Sequence, residues 1–77
     1  SISLYPNPSN SNLNIFWLND EHAQINYQII NLLGEVVTTG NAGGNEFIID
    51  VSKLSTGVYF LQLRNNNVRA IKRFVKE

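Results

Sequence analysis

Gln24-Ile25-Asn26-Tyr27-Gln28-Ile29 alternates amide and apolar side chains without a break. Successive side chains of an extended chain point to opposite faces, so Ile25, Tyr27 and Ile29 line one side and the amides the other. The segment reads as a half-buried strand, one face on a core and one in water. The same period recurs to either side. Leu13, Ile15 and Trp17 oppose Asn12 and Asn14; Phe47, Ile49 and Val51 alternate with Glu46, Ile48 and Asp50; Tyr59, Leu61 and Leu63 alternate with Phe60, Gln62 and Arg64. With Ile2–Tyr5, Glu35–Thr39 and the tail, about seven strands are expected.

Turn signals separate them at intervals of about ten residues. They are Pro6-Asn7-Pro8-Ser9-Asn10, Asn19-Asp20-Glu21, Leu33-Gly34, Gly40 through Asn45, Ser52 through Gly57, and Asn65-Asn66-Asn67. The expected fold is all-β, a seven-stranded antiparallel β-sandwich of immunoglobulin-like character. No linker, internal repeat or low-complexity tract interrupts it, so residues 1–77 are expected to form one domain. Trp17, Tyr27 and Tyr59 fall on apolar faces and are expected in the core, whereas Phe16 and Phe60 fall on polar faces. Gly34 and Gly57 are expected to supply positive φ at turns, and Leu54 to plug one end of the sandwich.

Composition narrows the function classes. At 43% hydrophobic and 16% charged, the chain is globular rather than disordered. It has no cysteine, which excludes disulfides and thiolate metal sites without fixing a compartment. No apolar run is long enough to span a bilayer, and the N-terminus carries no basic and apolar signal-peptide pattern; if the protein is exported, its address is expected upstream of this segment or somewhere unusual. The net charge of zero hides an asymmetry. Residues 1–52 hold five acids and no Lys or Arg, while residues 53–77 hold all six bases against Glu77 alone. Such a division can mark a terminal segment that meets a partner.

No catalytic constellation can be assembled. Asp20-Glu21-His22 is the only titratable cluster; its members are adjacent at a turn and share no face, so it reads as a solvated loop rather than a metal site. No nucleophile-elbow or phosphate-loop motif occurs, and Asn7-Pro8-Ser9 is barred from glycosylation by its proline. The chain reads as a non-enzyme without cofactor or metal. The basic tail lacks the interleaved aromatics of a single-strand binder, and the acidic half would repel phosphate, so nucleic acid is not an expected partner.

Two templates compete for Val68–Lys76. At 100° per residue Val68, Ala70, Ile71, Phe74 and Val75 cluster opposite Arg69, Lys72, Arg73 and Lys76, as in a basic amphipathic helix. The segment is short for a helix in water and lacks an N-cap, and Asn65-Asn66-Asn67 suits a hairpin loop that would make it a strand. The strand is preferred, with a bulge or burial on both faces expected to place Ala70-Ile71 and Phe74-Val75.

Three stretches, in order, carry a resemblance: Leu4-Tyr5-Pro6-Asn7-Pro8; Ile30-Asn31-Leu32-Leu33-Gly34-Glu35-Val36-Val37; and Asp50-Val51-Ser52-Lys53-Leu54-Ser55-Thr56-Gly57-Val58-Tyr59-Phe60, followed by Ile71-Lys72-Arg73-Phe74-Val75-Lys76. Together they resemble the C-terminal sorting domains, type A, of the type IX (Por) secretion system of Bacteroidetes. Each stretch also has a physical reading; Pro6 and Pro8 remove two N–H donors and hold an entering edge segment extended, which discourages further strand addition.

The resemblance implies a signal that directs a larger passenger from the periplasm across the outer membrane to the cell surface or beyond, followed by removal by a sortase-like surface peptidase. Implied partners are the type IX translocon and outer-membrane shuttle proteins. Implied recognition residues are Gly57, Val58, Tyr59, Lys72, Arg73, Val75 and Lys76, to which the basic pattern of the tail adds Arg69. Two rivals are an accessory module that binds glycan through an exposed aromatic face near Phe16 and Trp17, and an inert structural module.

Overall fold

The computed structural model describes residues 2–18, 24–66 and 68–77. Alternation of apolar and polar side chains gives strands β1 (Ile2–Tyr5), β2 (Asn12–Trp17), β3 (Ile25–Asn31), β4 (Val36–Ala42), β5 (Glu46–Asp50), β6 (Gly57–Asn65) and β7 (Val68–Lys76). They form two antiparallel sheets, one ordered β1-β2-β5 and the other β4-β3-β6-β7. The expected all-β sandwich is the observed architecture. Leu13, Ile15 and Trp17 of β2 and Ile49 of β5 meet Ile25 and Ile29 of β3, Leu61 and Leu63 of β6 and Phe74 of β7 in the core. This is the apolar set of each alternating segment, turned inward and removed from water.

Local chemistry closes the turns. Between β3 and β4, Asn31 Oδ1 accepts from the N–H groups of Leu33 (2.9 Å) and Glu35 (3.0 Å), and Gly34 takes φ 86°. After β5, Asp50 Oδ1 accepts from Ser52 N–H at 2.9 Å, and Leu54 packs against the core as expected of an end plug. The β6–β7 hairpin pairs Asn65 with Val68, and Asn66 enters the left-handed region at φ 54°.

Three expectations are corrected. Gly57 is an ordinary strand residue; the second glycine with positive φ is Gly44, at 78°. Tyr27 is half-buried at the margin of the core, where its ring stacks on Phe47 at 6.2 Å between centroids. Lastly, β7 needs no bulge and is not buried on both faces: its register with β6 is continuous from Val68 to Lys76. Ala70 and Phe74 turn inward while Ile71 and Val75 turn outward, Ile71 being 57% exposed. Pairing with β6 supplies main-chain partners along the whole segment, which a short uncapped helix packed by one stripe would lack at its ends. Among the described residues the register shifts between Ile29 and Ile30 of β3, which pair with Thr38 and Val36 and leave Val37 as the extra residue of β4. The Asp20-Glu21-His22 cluster lies outside the described residues.

Candidate recognition strand

Strand β7 is an edge strand, and its basic residues are divided by the alternation that places it in a sheet. Arg69, Arg73 and Val75 share the outer face with Ile71, while Lys72 and Lys76 fall on the side of Ala70 and Phe74. The one-sided basic surface drawn from the helical template is therefore absent. Arg69, Lys72 and Arg73 are exposed, whereas Lys76 is only 7% exposed and donates from Nζ to the Glu77 carbonyl at 2.9 Å. Arg69 stands directly across from Arg64 of β6. No carboxylate among the described residues pairs with either guanidinium, and like charges in opposed positions repel.

The remaining candidates lie on β6. Gly57 pairs with Lys76, Val58 with Val75, and Tyr59 with Phe74. Tyr59 is buried, stacks on Phe74 with centroids 5.7 Å apart, and donates its hydroxyl to the Ser55 carbonyl at 2.7 Å. A tyrosine bonded back to main chain a few residues upstream is a recurrent corner in immunoglobulin-like sandwiches. Gly57, Val58, Tyr59, Val75 and Lys76 therefore meet at one end of the β6–β7 ladder, with Arg69 at the other and Lys72 and Arg73 between. Phe74 was not singled out in the sequence, although it anchors the strand; Lys72 interrupts its inward-facing apolar series.

The end of β7 is also held by the turn after β1. Val75 N–H donates to Asn7 Oδ1 (2.9 Å), Ser9 N–H donates to the Val75 carbonyl (2.9 Å), and Glu77 N–H donates to the Ser9 carbonyl (2.8 Å). Ser9 and Lys76 thereby form a parallel bridge, and Ser9 is buried. The proline-flanked segment read as an edge guard from its missing donors thus guards the edge of β7 by pairing with it. Both bonds that precede its prolines, Tyr5-Pro6 and Asn7-Pro8, are cis.

Aromatic exposure differs from what a sugar platform near Trp17 would need. Trp17 is in the core at 3% exposure and Phe60 is half-buried. Tyr5 and Phe16 are exposed on the outer face of the three-stranded sheet, where Tyr5, Asn14 and Ile48 border a shallow concavity of about 370 Å³. Among titratable groups, Asp50 is held below the ordinary carboxylate value, first by the Ser52 hydroxyl and then by the Ser52 N–H. Among the described residues no three His, Cys, Asp or Glu side chains are grouped as metal ligands would be, and no helix is long and apolar enough to cross a membrane.

A family model described as the secretion system C-terminal sorting domain matches residues 3–77, nearly the whole chain. The chain belongs to that family. No curated protein matches it. The sorting domain is accordingly a C-terminal signal for type IX secretion, which carries its substrates to the cell surface or the extracellular space. The family is one of sorting signals rather than of enzymes.

Proposed function

We propose that the sorting domain forms a single recognition unit behind a larger passenger, brings that passenger from the periplasm to the type IX translocon and its outer-membrane shuttle proteins, and is then removed by a sortase-like peptidase at the cell surface. Recognition lies in the β6–β7 hairpin. Arg69, Lys72 and Arg73 supply the exposed charge and Val75 an outer-face apolar contact. Gly57, Val58, Tyr59 and Lys76 hold the end of the hairpin in shape. The observation that carries this reading is an edge strand with exposed cations that no described carboxylate neutralises, in a chain matched throughout by the sorting family. An edge strand offers main-chain hydrogen bonds to a partner, and charges beside it add steering and selectivity.

The test fuses residues 1–77 behind a periplasmic reporter in a type IX-competent host. Arg69, Lys72 and Arg73 are changed together to Gln, with Lys76→Gln made separately because its ammonium is buried. The triple variant is expected to remain folded and in the periplasm. Export of a folded triple variant at the parent's level would overturn the assignment of recognition to these bases. Deleting residues 68–77 is the coarser test, since it also removes Phe74 from the core and uncovers β6.

A further inference from the structure

We infer that Asn7 and Ser9 form a clasp that fixes where a partner can pair with β7, and that the occupant of the remaining edge is an extended acidic segment of the partner. The inference rests on the reading of β7 as the recognition strand and specifies its pairing. Val75 turns its N–H and C=O away from β6, since both are taken by the Asn7–Ser9 segment. In an antiparallel pair such groups recur at every second residue. Arg73, Ile71 and Arg69 therefore also turn theirs outward, and no described group bonds to them. The next outward N–H in the other direction, that of Glu77, is taken by the Ser9 carbonyl. The open ladder is thus bounded: it starts beside the hairpin at Arg69 and stops at Arg73.

The other edges are less suited to accept a strand. Strand β4 carries a bulge at Val37 and bears no charged residue; β1 and β5 span four and five residues against nine in β7. Short and bulged edges are the usual protections against strand addition. At β7 the clasp supplies that protection for the last positions alone. An incoming strand lays its alternate side chains beside Arg69, Ile71 and Arg73 on the outer face, with Arg64 one strand further in. Acid, apolar and acid at those positions neutralise the opposed Arg64–Arg69 pair and cover Ile71. A neutral or basic strand leaves like charges adjacent.

Proline separates the hydrogen-bonding sides of the edge, because a strand tolerates it where the N–H faces outward. Ile71→Pro and Arg73→Pro each remove one outward N–H that the fold does not use, while Ile71→Thr keeps it. In the reporter fusion, both proline variants are expected to retain their circular dichroism spectrum and lose export by about tenfold or more, a larger loss than that of Ile71→Thr, which keeps the N–H and gives up only the apolar side chain. A folded proline variant exported like the parent overturns edge pairing, whereas retention of the unmodified fusion overturns the sorting reading beneath it. If both proline variants unfold, amide exchange on the unmodified domain decides, using acetylated pentapeptides that alternate Glu with Val or Lys with Val. The acidic peptide is expected to slow exchange at Arg69, Ile71 and Arg73 and leave Val75 and Glu77 unchanged. Equal protection by the two peptides, protection on a different edge, or none up to the solubility limit overturns the inference.

Discussion

Gly40 and Tyr27 offer a case in which the structure reverses the sign expected for a substitution. Gly40 lies within β4 at an ordinary strand φ, where alanine would normally stabilise by about 0.4–1 kcal/mol through loss of unfolded-state freedom. A Cβ at Gly40, however, would lie 2.5 Å from Tyr27 Oη and 2.6 Å from Cζ. Carbon atoms settle at about 3.5–4.0 Å, so the Tyr27 ring, stacked on Phe47 at 6.2 Å, must move by about 1 Å. Overpacking of this size costs about 1–3 kcal/mol, which, less the gain of about 0.4–1, leaves Gly40→Ala destabilising by about 0–2.6 kcal/mol, with a midpoint of about 1.3. A chain of 77 residues has roughly 4–12 kcal/mol in total, and each lost kcal/mol lowers Tm by about 4–8 °C. The assay is a cycle of parent, Gly40→Ala, Tyr27→Ala and the double variant, unfolded in urea and followed by the fluorescence of buried Trp17. In the Tyr27→Ala background Gly40→Ala is expected to become stabilising. A stabilising Gly40→Ala in the parent, or no coupling between the sites, would refute the steric account.

Two further predictions concern the core and the loop after β5. Phe74→Ala removes a fully buried ring that stacks on Tyr59 and is expected to cost about 3–5 kcal/mol, leaving the domain marginal; a loss below about 1 kcal/mol in urea unfolding would mean that β7 is not anchored by this ring. Asp50 has its folded pKa depressed by Ser52, so its contribution is present above the ordinary value of 3.8 and is lost as pH falls through the folded one. Asp50→Asn should flatten the decline of stability with acid below about pH 4, and an NMR titration placing the Asp50 carboxyl at or above 3.8 would contradict the cause given.

The strands were legible where one periodicity stood alone. Ile25 and Ile29, or Leu61 and Leu63, can occupy one face only as a strand, and both pairs are in the core. Ala70-Ile71 and Phe74-Val75 fit either period, and the choice was made by something outside the segment, the unfilled hydrogen-bonding side of β6. The wrong period would also have gathered the bases on one surface. Gly57 and Gly44 show the same limit on a smaller scale, since a glycine beside a strand reads equally as turn or as ladder until its neighbour is known. The clasp was beyond any local reading: Asn7 and Val75 are 68 positions apart, and nothing in Pro6-Asn7-Pro8 names its partner.

The bonds from Asn7 and Ser9 to Val75 and Glu77 also order events in time. During synthesis the first sheet can begin to pair early, but its opening turn must wait for almost the whole chain before its main-chain groups are satisfied. A polypeptide released before Phe74 lacks both the ring that seats the terminal strand and the residues that Asn7 and Ser9 grip. The clasp therefore closes only on chains synthesised through Val75 and Glu77, so that a product truncated before them lacks the contact that ties the first turn to the last strand.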